Sequence, residues 1–157
     1  MSLQSRDLIP ELTEQVRAAA AAGRPLVLCG SGTKAFLGRA PEPWSERLEV
    51  GGHAGILNYQ PEELVITARA GTPLDTIEAA LAERGQQLPF EPPHFGPGAT
   101  LGGTIACGLS GPARPYAGAA RDLVLGARVL TGRGEVLRFG GEVMKNVAGY
   151  DVSRLMA

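Results

Sequence analysis

Nowhere does this chain carry an apolar run approaching the ~18 residues that a membrane-spanning helix needs. Its first residues also lack the basic stretch followed by an apolar one that marks a secretory leader. Both absences fit a cytoplasmic protein. Basic residues are not in surplus either, since 15 Lys and Arg face 16 Asp and Glu, for a formal net charge of −1. Holding a polyphosphate backbone through released counterions needs such a surplus, so nucleic acid is not expected as a partner. Cysteine is limited to Cys29 and Cys107, too few for a metal cluster, and no metal is expected. The pair suits reduced thiols, with a disulfide between them left open. His53 and His94 are the only histidines, and there is no internal repeat or low-complexity tail.

Glycine is what the chain has in excess, 22 in 157 residues, many of them between positions 96 and 118. A stretch this rich in glycine would suit a flexible linker. Leu101, Ile105, Ala106 and Leu109 run through it, however, and linkers avoid such residues. Irregular backbone that is buried or faces a ligand is the better expectation.

The periodicities mix helix and strand. Leu8, Leu12 and Val16 predict an amphipathic helix over 7–22, ended by Gly23. Residues 25–29 read as a buried strand, 48–50 as a second short one, and 64–70 as a third rich in Val, Ile and Thr. Thr72-Pro73-Leu74-Asp75 offers a capping hydroxyl, a proline at the first helical position and an acid three residues after the cap. That predicts a helix through Ile77, Ala80 and Leu81 to Gly85. Residues 123–131 and 135–139 read as a hairpin around Gly132-Arg133-Gly134, while 142–157 is ambiguous. The class is α+β, with a front subdomain over about 1–71 and the start of a second over about 72–157.

Two glycine segments are candidates for ligand contact. The first strand runs into Gly30-Ser31-Gly32-Thr33-Lys34, where backbone N–H groups could cradle a pyrophosphate and glycine lets a ligand approach the main chain. Gly30, Gly32 and Ala35, with Glu49 further on, also fit the dinucleotide fingerprint G-x-G-x-x-A. That fingerprint requires a helix to open at the loop, and Gly38, Pro41 and Pro43 argue against one. A plain strand-to-loop turn is the third reading. The second segment comprises Ala99, Thr100, Leu101, Gly102, Gly103, Thr104, Ile105, Ala106, Cys107 and Gly108, small enough for a planar or extended ligand to lie against bare backbone. Two such segments ~70 residues apart in sequence suit a cofactor clamped between subdomains.

These two segments, in order with residues 114–122, Leu125-Gly126 and Lys145-Asn146-Val147-Ala148-Gly149-Tyr150-Asp151, carry a family resemblance. The chain resembles the FAD-binding (PCMH-type) domain of the vanillyl-alcohol oxidase/p-cresol methylhydroxylase superfamily. Within it, residues 139–151 are most similar to an FAD-binding subunit of glycolate oxidase-type complexes. The resemblance covers almost the whole chain and implies a PCMH-type domain of two α+β subdomains, truncated at its C-terminal end. It implies that Gly30, Ser31, Gly32, Thr33 and Lys34 cradle the FAD pyrophosphate. Ala99, Thr100, Leu101, Gly102, Gly103 and Thr104 would line the flavin and ribityl chain. The segment holding Ala106, Cys107, Gly108, Tyr116 and Gly118 would pass the flavin edge, with Asp122 near the strand that closes the site. Tyr116 equally suits a core or interface aromatic, and Asp122 a turn or cap.

Some relatives attach FAD through a histidine in the first loop, which Ser31, Thr33 and Lys34 cannot supply, and Cys107 matches no cysteinyl attachment. FAD bound non-covalently is therefore expected. The implied activity is oxidation of a small 2-hydroxy acid to a 2-oxo acid. It would run in a complex with flavoprotein and iron-sulfur subunits, cytoplasmic or peripheral at the inner membrane through those partners. A non-catalytic assembly or electron-relay subunit is the alternative. Such chemistry needs a base for the hydroxyl proton and a cation for the carboxylate. His94 is a better base than His53, and Arg114 and Arg121 could face an anion or solvent, but no residue earns a catalytic role. Self-association through uncovered sheet edges and apolar surface is a further expectation.

Overall fold

The structure, a computed structural model, describes residues 6–141 and 152–157. The Lys145–Asp151 motif lies outside the described residues. The architecture is α+β, with helices around three two-stranded sheets among the described residues.

Helix α1 (Ile9–Ala21) places Leu12, Val16 and Ala19 on one buried face, as the spacing predicts. Leu12 and Val16 pack with Leu48 of strand β2 (Glu46–Glu49), flanked by Leu8, Leu26, Val50 and Leu130. Strand β1 (Leu26–Cys29) pairs in parallel with β2, from Leu26 opposite Glu46 to Cys29 opposite Glu49. The expectation of a buried strand was wrong in part: Leu26 packs against the α1 core, but the strand is otherwise half-buried and Leu28 is 72% exposed.

Strand β3 (Ile56–Gln60) has no counterpart in the sequence reading. It pairs antiparallel with β4 (Val65–Ala68) across a 3-10 turn at Pro61–Glu63. Its signal is weak because Asn58 and Gln60 interrupt the apolar pattern and Leu57 is 54% exposed. The strand read over 64–70 is shorter at both ends. Leu64 is left-handed, with φ 56°, and Gly71 turns away to donate its N–H to the His53 carbonyl at 2.8 Å.

Helix α2 (Leu74–Ala82) buries Leu74, Ile77 and Leu81. Its cap is Pro73, not Thr72 as the motif predicted. The fully buried Thr72 hydroxyl instead accepts from the Gly55 N–H at 2.9 Å and donates to the Gly55 carbonyl at 3.2 Å. A buried hydroxyl goes to the partner that satisfies both its functions, and Gly55 offers a donor and an acceptor together. Strands β5 (Gly126–Leu130) and β6 (Val136–Gly140) form the predicted antiparallel hairpin. Leu130 reaches the α1 core, and the Arg17 guanidinium donates to the Gly134 carbonyl at 2.9 Å.

The start of α1 is tied down by a residue far away in sequence. The Leu8 N–H donates to His53 Nδ1 at 3.1 Å, and the Ile9 N–H donates to Asp7 Oδ1 at 3.0 Å. Two of the amides that a helix leaves unpaired at its first turn are thereby satisfied. His53 has a 14% exposed side chain, and burial lowers its pKa below the ordinary histidine value. Asp7 opposes that shift, while Arg69 and Arg128 add to it. The neutral ring is the form that accepts from Leu8. A pKa depressed in the folded state gives stability that is present above the unfolded histidine value and lost as pH falls through the folded one. The melting temperature is therefore expected to fall as pH drops from 7.5 to 5, and His53→Asn, whose amide oxygen accepts without titrating, should flatten that fall. His53→Ala should cost about 1 kcal/mol at pH 7.5 through the lost acceptor. Identical pH profiles for wild type and His53→Asn, read by thermal melting, would remove His53 from this role.

Candidate functional site

Strand β1 ends at Cys29, whose carbonyl accepts from the Val50 N–H at 2.8 Å. Beyond it the chain makes two tight turns, Ala35 N–H to the Gly32 carbonyl and Leu37 N–H to the Lys34 carbonyl, each at 3.0 Å. No helix opens here, which removes the G-x-G-x-x-A reading. The amides of Ser31, Gly32, Thr33 and Lys34 donate to no acceptor among the described residues.

The second segment corrects the expectation of irregular backbone. Residues Leu101–Cys107 form helix α3. The Thr100 side chain caps it, accepting from the Gly103 N–H at 3.3 Å, and Gly108 closes it in the left-handed conformation. A capping threonine and a terminal glycine outweigh the low helix propensity of Gly102 and Gly103. Further on, Arg114–Ala117 and Ala120–Leu123 form the short helices α4 and α5.

The two glycine segments meet. A methyl group on Gly30 would lie 3.1 Å from the Thr100 hydroxyl, one on Gly98 would lie 3.8 Å from Ser31 Cβ, and one on Gly96 would lie 3.5 Å from the Thr33 methyl. Two intervening turns close the assembly. The Gly102 N–H donates to the Ala70 carbonyl at 2.7 Å, and the Leu101 N–H to the Thr72 carbonyl at 2.9 Å. Gly71 in turn lies against the carbonyls of Val50, Gly51 and His53. Four stretches of main chain thus pack on one another with almost no side chain between them.

Three buried side-chain groups have no hydrogen-bond partner among the described residues, and two belong to these segments: Lys34 Nζ and Thr104 Oγ1. Thr104 is fully buried, Ala99 and Thr100 nearly so, while Ser31, Gly32 and Ala106 are exposed and Cys107 is half-buried. Tyr116 on α4 is 94% exposed, so it is not a core aromatic. Asp122 accepts from the Ala119 N–H at 3.0 Å, the capping role open to it in the sequence, and its carboxylate lies beside Gly118. Residues 110–122 are anchored by groups that the sequence did not single out. Glu91 Oε2 accepts from the Ala113 N–H at 2.8 Å, the Phe90 carbonyl from the Gly111 N–H at 2.8 Å, and Ser110 Oγ from the Ala120 N–H at 3.0 Å. Nothing in local spacing links Glu91 to Ala113.

The two histidines are engaged elsewhere. His53 holds the start of α1, as described. His94 lies between two carboxylates of α2, with Nδ1 3.3 Å from Asp75 Oδ1 and Nε2 3.1 Å from Glu78 Oε1. Both ring nitrogens face acids on a helix surface, which leaves neither poised to take a substrate proton. The donor atoms of Asp75, Glu78 and His94 lie within 4.8 Å of one another, so these three are the residues on which a cation could bind. Arg114 and Arg121 are exposed.

The close packing makes a specific mutational prediction. A methyl group on Gly102 would sit 2.8 Å from Ala70 Cβ and 3.0 Å from its carbonyl oxygen, atoms with no flexible end to move aside. Gly102→Ala should therefore destabilise the chain by about 1–3 kcal/mol, although alanine is the better helix former. At Gly103 the same methyl meets only the Thr100 hydroxyl, at 3.2 Å. Gly103→Ala should cost less, and denaturant melts that rank the two the other way would contradict this packing.

The family described as FAD binding domain matches residues 9–140. Over 154 residues the chain is 60% identical to glycolate oxidase subunit GlcE of Escherichia coli K12, covering 98% of this chain and 43% of that protein. It is 34% identical over 132 residues to glycolate oxidase subunit GlcD of Bacillus subtilis 168, covering 83% of this chain and 28% of that protein. To the D-2-hydroxyglutarate dehydrogenase of Xanthomonas citri pv. viticola it is 33% identical over 100 residues, or 64% of this chain and 21% of that protein. The chain spans less than half the length of each. No helix among the described residues is long and apolar enough to cross a membrane. With its two glycine segments packed against each other and the match running from α1 to the end of β6, this chain belongs to the FAD-binding domain family.

Proposed function

We propose that the chain is the pyrophosphate- and flavin-holding part of an FAD-dependent subunit of a glycolate oxidase-type complex, which oxidises a small 2-hydroxy acid to a 2-oxo acid. The observation that carries this reading is the contact between the first loop and the second segment, Gly30 against Thr100 and Thr33 against Gly96. A dinucleotide needs an extended strip of unobstructed backbone with free donors for its phosphates, and such a strip forms only if both segments lie side by side. Lys34 Nζ and the amides of 31–34, without partners among the described residues, fit an anionic group there. The names of the relatives, two glycolate oxidase subunits and a D-2-hydroxyglutarate dehydrogenase, support the substrate class.

When bound, FAD supplies the acceptor for the hydride removed from the substrate carbon. The chain's own residues would hold and orient it: Gly30, Ser31, Gly32, Thr33 and Lys34 at the diphosphate, and Ala99, Thr100, Leu101, Gly102, Gly103 and Thr104 along the ribityl chain and ring. Ala106, Cys107, Gly108, Tyr116, Gly118 and Asp122 belong to the stretch assigned to the ring edge, with Asp122 acting there as the cap of α5. The substrate's base and carboxylate-binding cation are not assigned to this chain. Both of its histidines are committed to structural partners, so these residues are assigned to holding the cofactor. Attachment is non-covalent, because no imidazole lies in the first loop and His53 and His94 point to α1 and α2.

Added FAD should therefore produce shifted oxidised-flavin bands that survive gel filtration of the 157-residue chain. Acid precipitation should then release the yellow colour to the supernatant. Colour staying in the pellet would refute non-covalent attachment. No retained flavin at saturating FAD, with the chain folded by circular dichroism, would refute the holding role and favour an assembly or relay subunit.

A further inference from the structure

His94 joins two elements through both of its ring nitrogens. Nδ1 lies 3.3 Å from Asp75 Oδ1, and Nε2 lies 3.1 Å from Glu78 Oε1. Asp75 and Glu78 stand three residues apart on α2, so their carboxylates share one face of that helix. The imidazole arrives from the loop that follows, with its side chain 29% exposed against 66% for Asp75 and 40% for Glu78. One donor atom from each of the three residues lies within 4.8 Å of the other two. Imidazole with carboxylates suits a first-row transition dication such as zinc. Magnesium and calcium take oxygen ligands instead.

The loop holds His94 through unusual backbone on either side. Glu91 has φ 46° and Phe95 φ 55°, left-handed conformations that non-glycine residues rarely adopt. Such backbone persists only where surrounding contacts over-determine it, and ligand clamps are among the places where it gathers. Here contacts fix both ends. Glu91 Oε2 accepts from the Ala113 N–H at 2.8 Å, and Phe95 meets Phe36 edge to face with ring centroids 5.1 Å apart. Glu78 also lines a cavity of about 460 Å³, together with Gln86, Gln87, Glu91 and Pro92. That space gives an ion its entry path and leaves room for the water that completes its coordination.

We propose that Asp75, Glu78 and His94 form a zinc site that clamps the loop before the second glycine segment onto α2. Ligand atoms at about 2.0–2.1 Å from a four-coordinate zinc lie roughly 3.4 Å apart. The two partly exposed carboxylates reach that spacing by rotating their side chains, while the loop keeps His94 in place. One ring nitrogen takes the ion and the two carboxylates neutralise its double charge. The other ring N–H is held by the free oxygen of the carboxylate beside it, the usual way of orienting a metal-bound imidazole. The site uses no cysteine, so the small number of thiols does not bear on it. Its effect reaches the groove between the glycine segments, because His94 comes two residues before Gly96, which lies against Thr33.

The test titrates chelator-stripped protein with Zn²⁺ by calorimetry, with Mg²⁺ as the comparison. Wild type should take up one zinc, with a dissociation constant on the order of micromolar and at least about a hundredfold preference over magnesium. Added zinc should raise the melting temperature, and EDTA should reverse the rise. His94→Ala should weaken zinc by about a hundredfold or more, and Glu78→Gln and Asp75→Asn by about tenfold to a hundredfold each. Cys29→Ser should change nothing, which separates this site from adventitious thiol binding. Zinc should also slow amide hydrogen exchange over residues 91–98 in wild type and leave it unchanged in His94→Ala. Wild type that binds no zinc at this stoichiometry overturns the proposal and leaves His94 as an imidazole paired with two acids. Zinc held equally by His94→Ala, or lost in Cys29→Ser, overturns it by placing the ion elsewhere. Should His94→Ala fail to fold by circular dichroism, Glu78→Gln decides, and undiminished zinc binding there counts against the site. Flavin uptake enters none of these measurements, so the zinc site and the flavin reading stand or fall separately.

Discussion

Main chain packed directly on main chain is the constraint on which this structure depends. Gly51 lies against Gly30, Gly71 against the carbonyls of residues 50, 51 and 53, and Gly102 against Ala70. At Gly71 and Gly102 a single methyl group would collide with backbone atoms. Interiors tolerate such collisions poorly because they are already packed to crystal-like density. The same glycines that make the chain look like a linker are what let four turns converge. The hydrogen bonds from Gly102 to Ala70, Leu101 to Thr72 and Gly71 to His53 can form only at that separation.

From this convergence follows the placing of everything chemical. Once Gly30 lies against Thr100, the loop after β1 and the approach to α3 share one surface, and Lys34 is carried next to Phe95. The conventional hydrophobic contacts sit to one side, where α1 covers β1 and β2 and receives Leu130 from the distant hairpin. Contacts therefore cross the boundary expected near residue 71. Histidine is spent on this framework: His53 holds an end of α1, and His94 pairs with the carboxylates of α2.

Much of the framework is legible in the order of residues. The α1 periodicity, the β5–β6 hairpin around Gly132-Arg133-Gly134 and the helix after Pro73 all rest on interactions within a few positions. Elements decided by distant partners were misread. Thr72 reads as a cap, but Gly55 takes its hydroxyl. Strand β3 carries too little apolar alternation to be seen without β4 beside it. The segment 101–107 reads as irregular backbone, buried or facing a ligand, because its composition is poor in helix formers, and the Thr100 cap and the packing against Ala70 make it a helix.

The residue order alone determined that two glycine-rich stretches exist, that they resemble flavin-binding loops, and that neither offers an imidazole for covalent attachment. These are matters of identity and spacing. That the two stretches touch, that Lys34 has no acceptor among the described residues and that both histidines are occupied were decided only in three dimensions. The physical reason is range: backbone propensity and side-chain period act over a few residues, whereas desolvation and steric fit depend on atoms that the chain brings back from far along the sequence, as Thr100 is brought to Gly30.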